Sequence, residues 1–241
     1  MSTIYQHGTL ELIMSGLYDG TAPLSSILNH GSSGIGTMDE LDGEVTIIEN
    51  SVYQTKANGV TKEITDLSLE TPFTSIHSQS ELYYFLQEKF LTFDSLNNIS
   101  KQHQSWANLP ASIQMNASFS KLKVRVAPKQ IKPYPPFVDV TLKQPVFNYE
   151  NVSGTLIGDF GPDLYSGIMA SGWHLHFLSD DRTIGGHVLD FNASDAFGRI
   201  DLFNELNIAL PTDNPDFNNH EADILNIREA IDVAERLTTK T

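Results

Sequence analysis

The stretch from Gly172 to Phe191 constrains this chain more than any other. It reads Gly-Trp-His-Leu-His-Phe-Leu-Ser-Asp-Asp-Arg-Thr-Ile-Gly-Gly-His-Val-Leu-Asp-Phe, two alternating apolar runs around a polar turn, which is the pattern of a β-hairpin. His174 and His176 are two positions apart, so on a strand both rings leave the same face. A turn centred on Asp180-Asp181 pairs positions whose numbers sum to 361, and this sets His174 directly across from His187. Cross-strand partners share a face, with Cβ atoms roughly 5 Å apart. Three imidazoles on one face suit a zinc-like ion that keeps an open position for water or substrate. The competing reading is a half-buried strand with unrelated polar residues. A lone His-x-His pair favours that reading; the third histidine in register, with Gly185-Gly186 thinning the strand beside it, favours the metal.

Composition narrows what such a site can serve. The chain has 241 residues, 40% of them hydrophobic, enough for one large domain or two packed ones with a real core. A net charge of −15 repels phosphate backbones and anionic membranes, which argues against nucleic-acid or membrane partners. There is no cysteine, so disulfides and thiolate chemistry are excluded, in keeping with a reducing cytoplasm. The first basic residue is Lys56, and no apolar run approaches the length of a membrane span. The expectation is a soluble, cytoplasmic protein.

Along the chain, Leu10, Leu12, Ile13 and Leu17 form an apolar cluster compatible with helix or strand, and Pro23 to Asn29 reads as a brief helix closed at Gly31. Gly31-Ser-Ser-Gly-Ile-Gly36 is glycine-rich but lacks the GK[ST] of a phosphate cradle, so it reads as a flexible surface loop. Gly43 to Ile64 reads as a strand meander with an Asn58-Gly59 turn, and Pro72 to His77 as a further strand. Ser80 is placed to cap a helix from Glu81 to about Leu91, burying Leu82, Phe85, Leu86 and Phe90. Asn97 to Gln104 is polar and reads as a loop, and Ile113 to Val126 alternates as one long strand or two. Pro128 to Pro136 reads as an ordered extended crossing, followed by strands at Phe137–Val140, Pro145–Tyr149 and Val152–Gly158. Asp195 to Leu210 mixes loop and strand. Ile224, Ile227, Ile231 and Ala234 follow helical spacing, which predicts an amphipathic C-terminal helix over Ala222 to Arg236. The fold class is α+β, dominated by antiparallel strands.

A three-histidine metal site needs partners for substrate charge and proton movement. Arg125 faces away from Val124 and Val126, Glu44 follows the turn Leu41-Asp42-Gly43, and Glu235 lies near the C-terminus. Taken singly, each reads more readily as a solvated surface residue than as part of a site. His7, His30, His77, His103 and His220 lack paired spacing and read as surface or structural histidines.

Three runs carry a resemblance. Gly34-x-Gly-Thr-x-x-x-Leu-Asp-Gly-Glu44, Val124-Arg-x-x-Pro-x-Gln-x-x-Pro-Tyr-Pro-Pro136, and Gly172-Trp-His-x-His176 through Gly186-His187 resemble the acetolactate decarboxylase family, in its order and over almost the whole chain. The resemblance implies a metal-dependent lyase of acetoin biosynthesis that converts 2-acetolactate to acetoin and carbon dioxide, with zinc and as a homodimer. It matches His174, His176 and His187 to the metal ligands, Arg125 to the arginine facing substrate, Glu44 to a catalytic glutamate, and Thr37 to a threonine lining the pocket. It also implies a C-terminal glutamate near the metal. Spacing selects Glu235, with Glu229 and Glu221 as alternatives. The implied fold is two packed domains, each built on a mixed, largely antiparallel sheet, with the metal hairpin in the second. The division is placed near Ser120, giving residues 1–120 as an α/β domain and 121–241 as a β-rich metal-binding domain with a C-terminal helix.

Two other classes compete. One is a different three-histidine zinc enzyme, a hydratase or cupin-like oxygenase; the eleven-residue step from His176 to His187 is shorter than cupin patterns use. The other is a non-catalytic carbohydrate- or partner-binding β protein with a structural metal, which would favour a fourth protein ligand and often cysteine.

Overall fold

The computed structural model describes residues 2–102 and 107–221. In chain order its strands are β1 (Thr3–His7), β2 (Ala22–Pro23), β3 (Ser33–Thr37), β4 (Glu44–Ile48), β5 (Ser51–Thr55), β6 (Thr61–Ile64), β7 (Glu70–Thr71) and β8 (Phe73–His77). There follow β9 (Tyr83–Thr92), β10 (Ala111–Arg125), β11 (Val146–Tyr149), β12 (Val152–Gly161), β13 (Gly172–Ser179), β14 (Gly185–Leu202) and β15 (Glu205–Ala209). Short helices α1 (Leu10–Met14), α2 (Leu24–Ile27), α3 (Phe93–Gln102), α4 (Phe137–Thr141) and α5 (Pro215–Asn218) lie between them. None of the described helices is long and apolar enough to cross a membrane.

The strands form two main sheets, as expected for α+β. The first runs β15-β1-β8-β3-β4-β5-β6, with β15 parallel to β1 and the other pairs antiparallel. The second runs β11-β10-β12-β13-β14-β9, and β10 also pairs with β14. That extra pairing closes β10, β12, β13 and β14 into a ring. Its interior holds Ile113, Met115, Phe119, Leu156, Leu175, Phe177 and Phe191, all essentially inaccessible. Alternate residues on a strand point to opposite sides, so His174 and His176, flanking Leu175, leave the ring outward toward the first sheet. There Ile35 and Ile48 of the first sheet pack on Ile157 and Leu178 of the second. The chain passes between the sheets at residues 78–82 and again at 203–204, whereas Ser120 lies inside β10.

The meander of β4, β5 and β6, strand β8, and the opening hairpin follow the alternation read from the sequence. Four segments differ. The glycine-rich run is no surface loop: β3 is a fully buried interior strand. A Cβ on Gly34 would lie 2.1 Å from the Ser75 carbonyl oxygen, and one on Gly36 would lie 2.5 Å from that of Phe73, so glycine there serves close approach of β8. The helix expected over Glu81–Leu91 is β9, paired along β14. Phe85 and Phe90, which helical spacing turned inward, are 75% and 73% exposed. The aromatic run Tyr83-Tyr84-Phe85 fits a pleated surface, and sheet pairing overrides the spacing. The loop expected at Asn97–Gln104 is helical through Gln102. Phe137–Val140, expected as a strand, is α4, which buries Phe137 and Val140 three positions apart on one helical side. The helix expected over Ala222–Arg236 lies outside the described residues.

Candidate metal centre and adjoining cavity

The hairpin that presents the histidines turns one residue later than its acidic pair suggested. Leu178 pairs with Gly185, Phe177 with Gly186 and His176 with His187, so it is His176, not His174, that stands opposite His187. Ser179 sets this register. Its backbone N–H donates to the Ile184 carbonyl, its hydroxyl accepts from the N–H groups of Thr183 and Ile184, and Arg182 takes a left-handed conformation (φ 61°). A shift of two positions preserves strand parity, so all three rings still share one face. The His174 and His187 ring centroids are 4.8 Å apart, and candidate ligand atoms of the three residues lie within 4.8 Å of one another. Gly186 adopts φ +139°, and a Cβ there would sit 3.0 Å from the Arg125 carbonyl oxygen and 3.1 Å from Val124 Cγ2. Glycine therefore lets β14 approach β10 beside His187.

Arg125 reaches the same face through an irregularity in β10. Ala111, Ile113, Met115, Ala117 and Phe119 point into the ring, but after a register shift between Phe119 and Lys121 the inward residues are Leu122 and Val124. A β-bulge of this kind re-aims every side chain beyond it. Without it, Arg125 would share the interior side with Phe119. With it, Arg125 is directly opposite His187, buried, and its Nη2 lies 3.3 Å from His187 Nε2, to which it donates.

The first sheet supplies the other wall. Thr37 and Glu44 are cross-strand partners on β3 and β4. The Thr37 hydroxyl donates to the Gly43 carbonyl at 2.6 Å and so ties the turn that leads into Glu44. Glu44 Oε1 accepts the Ala127 N–H at 2.9 Å, while Oε2 lies 3.5 Å from His176 Nε2. His176 Nδ1 is 2.8 Å from the Val45 carbonyl oxygen and donates to it. This hydrogen bond fixes the tautomer and leaves Nε2 buried without a hydrogen-bond partner.

Electrostatics keep the rings neutral. Burial, the charge on His176 and the Arg125 guanidinium hold His174 well below the ordinary histidine range. Burial, then Arg125 and the other two histidines, do the same for His187. Burial, opposed by the Val45 hydrogen bond and reinforced by Arg125, brings His176 to about 4. Neutral imidazoles are the form that ligates a metal. His176 Nε2 is a buried ligand atom with no hydrogen-bond partner among the described residues, 3.5 Å from Glu44 Oε2, and a bound cation would satisfy it. The three histidines therefore fit a divalent metal.

A cavity of about 50 Å³ adjoins this cluster, lined by His174, His187, Arg125, Glu44, Thr37 and Gln144, with an apolar wall that includes Met14, Phe73 and Phe137. A larger one, about 780 Å³, opens beside Tyr18, Lys132 and His220 but includes none of the triad, so the small cavity is the candidate site. Glu221 lines the larger cavity; Glu235 and Glu229 lie outside the described residues. The remaining histidines sit apart from the cluster. His77 is buried 3.8 Å from Asp159, His7 meets the Thr21 hydroxyl, His30 stacks on Tyr5, and His103 is outside the described residues.

Sequence reasoning missed three contributors: the Val45 carbonyl, the Ala127 N–H and Gln144. The first two are backbone groups with no side-chain signature. Gln144, in Lys143-Gln144-Pro145, belongs to no spaced pattern and is placed only by tertiary folding.

Comparison with known proteins bears on this geometry. The family profile described as alpha-acetolactate decarboxylase matches residues 4–223. The alpha-acetolactate decarboxylase of Lactococcus lactis subsp. cremoris (strain MG1363) is 34% identical over 235 residues, spanning 98% of this chain and 99% of that protein. The crystal structure of the alpha-acetolactate decarboxylase from Bacillus subtilis strain 168 superposes with a TM-score of 0.89 at 31% identity, covering 97% of this chain and 99% of that one. A Staphylococcus aureus protein of unknown function, described as similar to alpha-acetolactate decarboxylase, gives a TM-score of 0.90 at 32% identity over 97% of this chain and 100% of its own.

Proposed function

Since this chain belongs to the alpha-acetolactate decarboxylase family, we propose that it converts (S)-2-acetolactate to (R)-acetoin and carbon dioxide at the cavity beside His174, His176 and His187. The observation that carries this reading is a cluster of three neutral imidazoles, two of them lining one small cavity together with a buried arginine and a buried glutamate drawn from both sheets.

The substrate is a 3-oxo acid with a hydroxyl at C2. Breaking its C2–carboxylate bond leaves the electron pair as an enediolate, which becomes acetoin when a proton is added to carbon. His174, His176 and His187 would hold a divalent ion, zinc in this proposal, which when bound supplies a Lewis acid for the ketone oxygen. Arg125 presents a planar fork that suits the substrate carboxylate before the bond breaks and the developing oxyanion afterwards. Glu44, anchored through Oε1 by the Ala127 N–H, turns Oε2 toward the triad. As a carboxylic acid it delivers the proton from one side of the enediolate, which sets the configuration of acetoin, and is recharged from water. Thr37 holds the turn before Glu44 and lines the same wall. A second acid, Glu235 by the resemblance, completes the proton inventory. The apolar wall of Met14, Phe73 and Phe137 excludes water and seats the substrate's two methyl groups.

The working form in this proposal is a cytoplasmic homodimer, as the resemblance implies. Purified protein given racemic 2-acetolactate, with acetoin followed colorimetrically, tests the activity. Acetoin formation at enzymatic rate is expected. No acetoin above the uncatalysed background would return the site to the hydratase, oxygenase or structural-metal alternatives.

A further inference from the structure

Gln144 is 8% exposed, and among the described residues neither its amide nitrogen nor its amide oxygen has a hydrogen-bond partner. A buried carboxamide left unsatisfied destabilises the folded chain, and nearly all buried polar groups find partners. This one lines the cavity that holds Arg125, Glu44, His174 and His187. Its backbone is tied to the strand carrying the arginine. Gln144 N–H donates to the Thr141 carbonyl, the next residue's carbonyl accepts the Val126 N–H at 3.2 Å, and Val146 pairs with Arg125. The amide thus lines the same cavity as the guanidinium, with no hydrogen-bond partner among the described residues.

Resting on the decarboxylase reading, we propose that Gln144 is a substrate-contacting residue whose carboxamide recognises the 2-hydroxy acid group. A carboxamide offers two donors and one acceptor. The substrate's carboxylate and ketone only accept, and its C2 hydroxyl is its one donor. Amide Oε1 therefore accepts a hydrogen bond from the hydroxyl, while Nε2 donates to a carboxylate oxygen. A ligand without the hydroxyl leaves Oε1 orphaned, and such sites reject analogues missing the group they were built to bond.

The test uses Gln144→Leu and Gln144→Met, apolar side chains of similar size, in the metal-loaded protein. Because the amide has no partner among the described residues, both variants should melt at or above the wild-type temperature. With 2-acetolactate, kcat/KM should fall about 10- to 100-fold, chiefly through KM. A second readout needs no turnover. In the wild type the melting temperature should rise more with 2-hydroxy-2-methylpropanoate than with 2-methylpropanoate, and that difference should shrink in the variants. Variants within twofold of wild-type kcat/KM, or variants that fail to fold, overturn the proposal, the second because an unused amide cannot be needed for folding. If wild-type protein makes no acetoin, the decarboxylase reading fails, and the paired ligands still decide the role of Gln144: an unchanged difference in the variants overturns it.

Discussion

Arg125 and His187 stand directly opposite each other across β10 and β14, with guanidinium Nη2 3.3 Å from imidazole Nε2. The pair joins the metal cluster to the group assigned to substrate charge, and it exists because β10 is irregular. Strict alternation from Phe119 would have sent Arg125 into an apolar ring interior, where an unpaired guanidinium is costly.

Arg125→Ala should therefore keep the metal and lose the reaction. The three histidines do not need the guanidinium to converge, so metal content per chain, read by elemental analysis, should match wild type. Turnover should fall by about 100- to 1,000-fold, the usual loss when one preorganised charge-stabilising donor is removed. Arg125→Lys should recover only part of it, since an ammonium lacks the planar fork. Normal turnover in Arg125→Ala would remove Arg125 from the mechanism.

Glu44→Gln separates anchoring from proton delivery. The amide oxygen still accepts the Ala127 N–H that fixes Glu44 Oε1, so thermal stability should change little. With no carboxyl proton to give, acetoin formation should drop by about 100- to 10,000-fold, and residual acetoin should lose enantiomeric purity, measurable by chiral gas chromatography. A variant that retains both rate and configuration would assign the proton to another group.

Parts of this site were legible in the sequence for a physical reason: strand parity. His174, His176 and His187 share a face under either hairpin register, because the two registers differ by two positions. Thr37 and Glu44 are legible only through the family resemblance, because an acid that follows a turn reads by itself as exposed. Local parity sets Arg125 on the side away from Val124, as the structure has it, but which face of the ring that is depends on the bulge beyond Phe119. Helical spacing misled at Phe85 and Phe90, where a strand edge leaves large aromatics outside, and glycine content misled at β3, where small residues allow burial rather than flexibility. Gln144 had no sequence signature, since its position follows from how α4 and β11 meet β10.

Acid should loosen the metal-free fold. Burial and Arg125 lower the pKa of His176 to about 4 in the folded chain, against about 6.5 when unfolded. Below pH 6.5 the unfolded chain takes up a proton that the folded chain refuses, so this stability is fully present above 6.5 and is lost as pH falls toward 4. His176 alone accounts for about 3 kcal/mol over that window, and His174 and His187 shift in the same direction. Denaturant midpoints of metal-free protein at pH 7.5, 6 and 5 should decline in order, and His176→Gln should flatten the decline. A midpoint constant down to pH 5 would contradict neutral, buried rings.

Gly186→Ala probes the approach of β14 to β10. With φ at +139° and its new Cβ 3.0 Å from the Arg125 carbonyl oxygen, alanine should cost about 1–3 kcal/mol by chemical denaturation. It should also displace His187 and weaken metal affinity. An unchanged denaturation midpoint would mean that the strands part there without penalty.

The central claim is that His174, His176 and His187 hold the metal on which decarboxylation depends. It is tested most directly by measuring bound metal and acetoin formation together in wild type, chelator-stripped protein and His187→Ala. Wild type should carry about one divalent ion per chain and make acetoin. Stripped protein should make none until metal is restored, and His187→Ala should neither bind metal nor recover. Full acetoin formation by metal-free protein, or by His187→Ala, would contradict the account.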